Sequence, residues 1–288
     1  MRSLRTLTPA FLLAFAFVHP AAHASAAVPG IEVVTATGPA DSSASKTVQA
    51  LCPPGKRVVG AGGAAGAFFT GVILTEVTID PALTSVTVTG HEDSSGTSQQ
   101  WPVVAYAVCA EPLPGLQLVT VTGLYDSTKR KTVSAFCPPG TQVLGVGGRV
   151  DGAAGEVVLA SAWVRAAMPG TSAASAHVTG AENGDGTDRA YGVRVHAVCA
   201  DPLPGYQVLS HTTQPGSPPL QPFQTPACPA GQRVLGVGGR TTATLPYAQV
   251  VLNVLVPSAR SVSVFAMEDS DGTQESWSTQ AQAVCADE

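Results

Sequence analysis

Cys52-Pro53-Pro54-Gly55-Lys56-Arg57-Val58-Val59-Gly60-Ala61-Gly62-Gly63 is the stretch that decides the fold, because the chain writes it three times. It returns as Cys137-Pro138-Pro139-Gly140 followed by Val143-Leu144-Gly145-Val146-Gly147-Gly148. It returns again as Cys228-Pro229-Ala230-Gly231 followed by Val234-Leu235-Gly236-Val237-Gly238-Gly239. A motif present three times belongs first to architecture and only then to chemistry.

A second anchor closes each unit: Ala107-Val108-Cys109-Ala110, Ala197-Val198-Cys199-Ala200 and Ala283-Val284-Cys285-Ala286. Between units lie Glu111-Pro112-Leu113-Pro114-Gly115 and Asp201-Pro202-Leu203-Pro204-Gly205. These linkers are short and stiffened by proline, so they hold neighbouring units in one orientation. The division that follows is a leader over 1–26 and repeats over 27–112, 113–202 and 203–288.

Each unit reads as about six strands. Val72–Ile79, Val157–Val164 and Val250–Val256 are continuous apolar runs, whereas Thr84–Thr89 alternates with the period of a half-buried strand. In the closing strand Ala105, Ala107 and Cys109 share one face, and Val104, Tyr106 and Val108 the other. The second copy puts Val193, Val195, Ala197 and Cys199 on one face, with Arg194 and His196 opposite. No segment carries a capped helical period. The expected fold is all-β: three tandem disulfide-bearing modules of sandwich or Greek-key type, or the same units closed with pseudo-threefold symmetry in a β-prism-like body.

Six cysteines in an exported chain predict three disulfides. Pairing Cys52 with Cys109, Cys137 with Cys199 and Cys228 with Cys285 treats every copy alike. Each bridge then closes a loop of roughly 60 residues, worth about 4 kcal/mol in the chain-entropy account. The G-x-G-G segments are not phosphate loops. That chemistry needs a helix N-terminus behind the glycines, and here another strand follows. Glycine inside a strand marks a bulge or a close backbone approach.

The chemistry-bearing element is the turn before the last strand. It reads Glu92-Asp93-Ser94-Ser95-Gly96-Thr97, then Glu182-Asn183-Gly184-Asp185-Gly186-Thr187, then Glu268-Asp269-Ser270-Asp271-Gly272-Thr273. Trp101, Tyr191 and Trp277 follow at a fixed distance. Acids beside an aromatic ring are the materials of a sugar site. They are equally those of a hairpin loop whose aromatic closes the end of a sandwich. The candidate binding set is therefore Glu92, Asp93, Trp101, Glu182, Asn183, Tyr191, Glu268, Asp269 and Trp277. Trp101 lies an even number of positions before Cys109, and that parity places the ring on the inward face. Two acids per turn are few oxygen ligands for Ca²⁺, so no metal and no cofactor is expected. His91, beside Glu92 and Asp93, is the one local acid–base grouping, and its counterparts are Ala181 and Met267.

The first residues are an address. Arg2 and Arg5 precede the apolar run from Phe11 to Val18, and small residues with A-x-A spacing follow at Ala22–Ala24 and Ala24–Ala26. Removing that leader takes away two of the 15 basic residues and none of the 20 acidic ones, so the formal charge of −5 becomes −7. Charges are few and scattered, which leaves no basic footprint for nucleic acid. No later stretch is long enough to cross a bilayer as a helix.

The C-P-x-G-x-x-V-x-G-x-G-G opening with its A-V-C-A close resembles repeats in poorly characterised secreted proteins of actinobacteria, over essentially the whole mature chain. That resemblance implies export and a β-rich module. A fainter likeness is to the vitelline membrane outer layer protein, a three-fold β-prism whose repeats also carry a C-P-x-G step. Its repeats are shorter, and its D-D-T-A motif is absent here.

Threefold repetition without a repeated catalytic set points to a secreted, non-catalytic binding or envelope-associated protein, with an extracellular glycan or cell-wall polymer as partner. Phe68 and Phe69 in one copy and Tyr247 in another stand where specificity could be written. The alternatives are a polysaccharide hydrolase using Glu and Asp of the turns, and a structural or inhibitory protein.

Overall fold

The computed structural model describes residues 27–288 except 67–70, 169, 171 and 243–247. The leader, and with it Phe68, Phe69 and Tyr247, lie outside the described residues. Eighteen strands and no helix make up the described chain. The first repeat contributes β1 (Glu32–Thr37), β2 (Ser45–Leu51), β3 (Arg57–Ala65), β4 (Val72–Ile79), β5 (Ser85–Glu92) and β6 (Val103–Ala110). The second contributes β7 (Gln117–Thr122), β8 (Arg130–Phe136), β9 (Gln142–Asp151), β10 (Val157–Arg165), β11 (Ser175–Glu182) and β12 (Gly192–Ala200). The third contributes β13 (Gln207–Thr212), β14 (Leu220–Gln224), β15 (Gln232–Thr241), β16 (Val250–Pro257), β17 (Val262–Glu268) and β18 (Thr279–Asp287).

Each repeat is a two-layer sandwich. In the first, β1, β6 and β3 form one layer and β2, β5 and β4 the other, packed face to face. Alternation explains the layers: Ala105, Ala107 and Cys109 of β6 are fully buried between them, while Val104 and Tyr106 look outward and are half-buried. Every fully buried valine or leucine in such a core stabilises by about 1.5–3 kcal/mol. The bridges Cys52–Cys109, Cys137–Cys199 and Cys228–Cys285 stitch the two layers of each sandwich, with Cα atoms 5.7, 5.7 and 5.9 Å apart.

The sandwiches do not stand apart. The fourth strand of one repeat pairs with the third strand of the next, β4 with β9, β10 with β15 and β16 with β3. Three antiparallel six-stranded sheets result, each built from two repeats. Their orders are β1-β6-β3-β16-β17-β14, β2-β5-β4-β9-β12-β7 and β13-β18-β15-β10-β11-β8. The connections close into a ring, so the modular reading and the pseudo-threefold reading meet in one body. Outer strands carry the guards that edges need: Lys46 on β2, Lys131 on β8 and Pro222 on β14.

The V-x-G-x-G-G glycines make that ring possible. The third strand of each repeat bulges at Val59, Leu144 or Leu235. The bulge carbonyls aim at the next glycine around the axis. A Cβ on Gly60 would lie 2.0 Å from the Leu235 oxygen, one on Gly145 2.6 Å from that of Val59, and one on Gly236 2.1 Å from that of Leu144. Three backbones therefore touch where any side chain would hold them apart, the close approach expected of glycine in a strand. One glycine further along, Gly147 lets His196 of β12 reach over β9 and bond the Ile79 carbonyl at 3.0 Å. At the matching place beside Gly238, Gln282 accepts the Val164 amide at 2.9 Å.

Candidate functional site

The aromatic trio is core. Trp101 and Tyr191 are 0% exposed and Trp277 is 1% exposed, so no ring face is open to a ligand. Each begins the last strand with a one-residue bridge to the segment after the first strand, to Asp41, Asp126 and Gly216. Lys46 lies over the Trp101 ring at 4.2 Å, donates to the carbonyls of Asp41 and Trp101, and pairs with the Asp41 carboxylate at 3.0 Å. Lys131 does the same over Tyr191 at 3.9 Å, paired with Asp126 at 2.7 Å. Both aspartates titrate at about 2. For Asp41 the main cause is the Ser43 amide, and for Asp126 it is the Lys131 ammonium. In the third copy lysine and aspartate disappear together. Gln221 takes the lysine's place and donates to the Trp277 carbonyl at 3.1 Å, opposite Gly216. Losing both charges at once leaves no unpaired ion behind.

The glutamate of each turn faces that ring. Glu92 accepts the Trp101 indole N–H at 3.3 Å, and Glu268 accepts that of Trp277 at 3.4 Å. The following residue folds the turn upon itself. Asp93 Oδ1 accepts the amides of Ser95 and Gly96, and Asp269 Oδ1 those of Asp271 and Gly272. These are Asx-turn bonds, which explain the residue type without any ligand. Asn183 stands in the same place, half of the way to that pattern: its amide donates to the Gly155 carbonyl at 3.3 Å and its Oδ1 is buried without a partner.

Sequence spacing could not show that the three turns meet. They crown one end of the ring in cyclic order. The Ser94 hydroxyl bonds Asp185, the Gly184 amide donates to Asp269 at 3.2 Å, and Ser270 meets Ser95 at 2.8 Å between hydroxyl oxygens. Ile73, Val158 and Val251 pack beneath them in a small core of their own. Crowding carries an electrostatic cost. Burial first, and Asp271 after it, push Asp269 up to about 6, while burial and the nearby Asp185 raise Asp93. Among the described residues no group of three or more His, Cys, Asp or Glu is placed to hold a metal ion.

The second copy departs in one informative way. Tyr191 replaces tryptophan, and its hydroxyl donates to the Thr128 carbonyl at 2.7 Å. Glu182 is 1% exposed, and its Oε1 has no hydrogen-bond partner. The missing partner is the indole N–H that Glu92 and Glu268 enjoy.

With turns and rings occupied by one another, open polar surface lies elsewhere, at the seams where repeats pair. At the first seam, between β4 and β9, a cleft of about 360 Å³ is lined by Ser45, Thr47, Thr75, Glu76, Thr89, His91 and Arg149. Thr75 is the bulged residue of β4, and the bulge re-aims its hydroxyl. That hydroxyl donates to the Thr89 carbonyl at 3.2 Å and meets His91 Nδ1 at 2.9 Å, which makes Nε2 the ring's acceptor. Burial holds His91 below the usual imidazole range, against the opposing pull of Glu76. Glu76 accepts the hydroxyls of Thr78 and Thr89 at 2.7 and 2.8 Å, and pairs with Arg149 of the next repeat at 3.6 Å. His91 thus works with Thr75 and Glu76 across the sheet, whereas its sequence neighbours Glu92 and Asp93 belong to the crown. Glu76, Thr75 and Arg149 left no mark in the sequence reading. The signal available was a negative one: Glu76 stands against Ser161 and Val254, and Arg149, repeated as Arg240, is lost at Ala64.

Compared with known proteins, the chain matches no family model, and no curated protein is significantly similar to it. Its three internal disulfides fit an oxidising environment outside the cytoplasm.

Proposed function

We propose that this is a secreted, non-catalytic binding protein of the cell exterior, that its ligand site is the cleft of the first seam, and that the ligand class is carbohydrate. One observation carries the reading: four hydroxyls, from Ser45, Thr47, Thr75 and Thr89, line one cleft with Glu76, His91 and Arg149. Groups that both donate and accept are what a ring of sugar hydroxyls requires. A glycosidase would need a second carboxylate across the cleft, and Glu76 is the one carboxylate in that lining. Its own oxygens are occupied by two threonines and an arginine. The leader and the disulfides support export.

A glycan array, followed by retention on cell-wall material, tests the reading. The protein should bind a restricted set of saccharides, and Thr75→Val with His91→Ala should weaken that binding at least tenfold without lowering the melting temperature by more than a few degrees. Failure to retain any saccharide, or retention unchanged in the double variant, would sink it.

A further inference from the structure

The second seam carries a different surface. Trp163 of β10 stands on the outer face of its sheet between two cationic or polar neighbours. His177 of β11 stacks on it at 4.2 Å with planes 15° apart, and the Arg240 guanidinium of β15 lies 5.0 Å from the ring centroid. Arg165, two residues along β10, lies 5.6 Å from the same centroid. His177 is fixed in turn by Ser134 at 2.7 Å and Ser175 at 2.9 Å, and burial keeps its pKa below the usual range.

Arg240 occupies the position that Arg149 holds at the first seam, and the comparison isolates what is unusual about it. Arg149 is paired twice, with Glu76 and with Asp151. At the second seam the counterpart of Glu76 is Ser161, and that of Asp151 is Thr242. Both counter-ions have become hydroxyl residues while the arginine stays. Neither Arg240 nor Arg165 has a carboxylate within ion-pair distance among the described residues. The buried Nε lacks an acceptor in Arg149 and Arg240 alike, so the difference between the two seams is the lost carboxylates. Arg165 is exposed and Arg240 half-buried, so in a chain with 20 acidic against 15 basic residues this face shows two guanidiniums without an acidic partner among the described residues.

We infer that this outer face of the β13-β18-β15-β10-β11-β8 sheet is a docking surface for an acidic polysaccharide. Guanidinium planes take carboxylates in bidentate fashion. Thr242 and Gln280, which fill the places of Asp151 and Arg194, offer donors and acceptors to sugar hydroxyls without repelling the charge, while Ser161, buried in the place of Glu76, takes the acid away. The tryptophan braces Arg240, whose guanidinium lies 5.0 Å from the ring centroid. This surface is independent of the first-seam cleft, and either can fail alone.

The test is retention of the full mature protein on immobilised polygalacturonate, with its methyl ester as the neutral control and poly-glutamate as competitor. The wild type should bind the free acid, release as salt rises, and ignore the ester. Arg240→Gln with Arg165→Gln should cut affinity at least tenfold at an unchanged melting temperature, because neither side chain has an ionic partner to lose. Arg233→Gln removes one such charge, from a guanidinium already paired with Glu288 at 3.1 Å, and should stay within twofold of the wild type. No binding at low salt, equal binding to the ester, or full binding by the double variant would overturn the inference. Poly-glutamate competing as well as the polysaccharide would also overturn it, since the surface would then read charge alone.

Discussion

The crown and the seams are built from the same three repeats and have gone opposite ways. In the crown each copy keeps an acid, an Asx-type residue, a glycine and an aromatic ring, and each of these satisfies another group of the protein. At the seams the aligned pairs differ from copy to copy: Glu76 with Arg149, Ser161 with Arg240, Val254 with Ala64, the arginine being shared by two of them. Repetition here marks what holds the ring together. Divergence marks where we propose that the molecule faces a partner. The largest test of that division is on the axis itself. Gly145→Ala would place a methyl group 2.6 Å from the Val59 oxygen and 2.8 Å from the Gly60 Cα, both backbone atoms that cannot rotate away. The expected loss is on the order of 3–5 kcal/mol, as for severe overpacking, read as a collapsed melting temperature or a failure to accumulate folded protein. An alanine variant that melts like the wild type would mean the three repeats are not joined at the axis.

Next in size are the buried rings, and the copies should not respond equally. Trp277→Ala removes a fully buried indole and should cost about 3–5 kcal/mol. Trp101→Ala removes the same volume and also strips Lys46 of the ring it lies over. It should be the more damaging of the two, because a largely buried ammonium is left with less compensation. Urea unfolding of the two variants side by side reads the difference. Equal losses would show that the lysine stack contributes nothing.

The sequence carried the parts of this comparison that repeat at short range. Strand limits, the three disulfide partners and the inward parity of Trp101 follow from alternation and from treating the copies alike. The glycines announced a close approach, although not its partner. Two things were beyond reach for a physical reason. Pairing of Val77 with Gly148, or Leu255 with Gly63, joins residues of different repeats, and no local pattern specifies which open edge a strand will meet. The convergence of Ser94 on Asp185 and of Gly184 on Asp269 is a consequence of that closure. So Glu92, Asp93 and their counterparts read as a sugar site or a hairpin loop alike, when the oxygens of Glu92, Asp93, Glu268 and Asp269 are turned on the indoles and amides around them.

A gain of stability should follow from making the second copy resemble the other two. Tyr191→Trp would supply the indole N–H that Glu182 Oε1 lacks, at the cost of the hydroxyl's bond to the Thr128 carbonyl. A satisfied buried carboxylate oxygen is worth roughly 1–3 kcal/mol and the lost hydroxyl bond about 1 kcal/mol, so the net should be a rise in melting temperature of a few degrees. A fall would mean that Lys131 and the Tyr191 ring fit one another too closely to admit the larger side chain.

The smallest expected effect separates like-charge crowding in the crown from simple burial. Asp269 titrates at about 6, above the ordinary 3.8, so its folded form favours the proton. The stability it confers is complete below pH 3.8 and is lost as pH rises through about 6. Asp271→Ser copies what the first turn already has at Ser95 and removes one of the charges that raise Asp269. The variant should match the wild type at pH 4 and exceed it increasingly to a plateau above pH 6. Asp271 is exposed, so solvent screening holds the gain below about 1 kcal/mol. His91, His177 and His196 are all held below the usual imidazole range, chiefly by burial. They act in the opposite sense: their share of stability is present above about pH 6.5 and falls away as the rings are forced to charge in acid. Because the substitution leaves them unchanged, they cancel in the difference between variant and wild type, and what remains is the crown alone. Melting curves from pH 4 to 7 measure that difference. A difference that stays flat over this range would assign the raised Asp269 to burial and leave Asp269 and Asp271 electrostatically indifferent to each other within their turn.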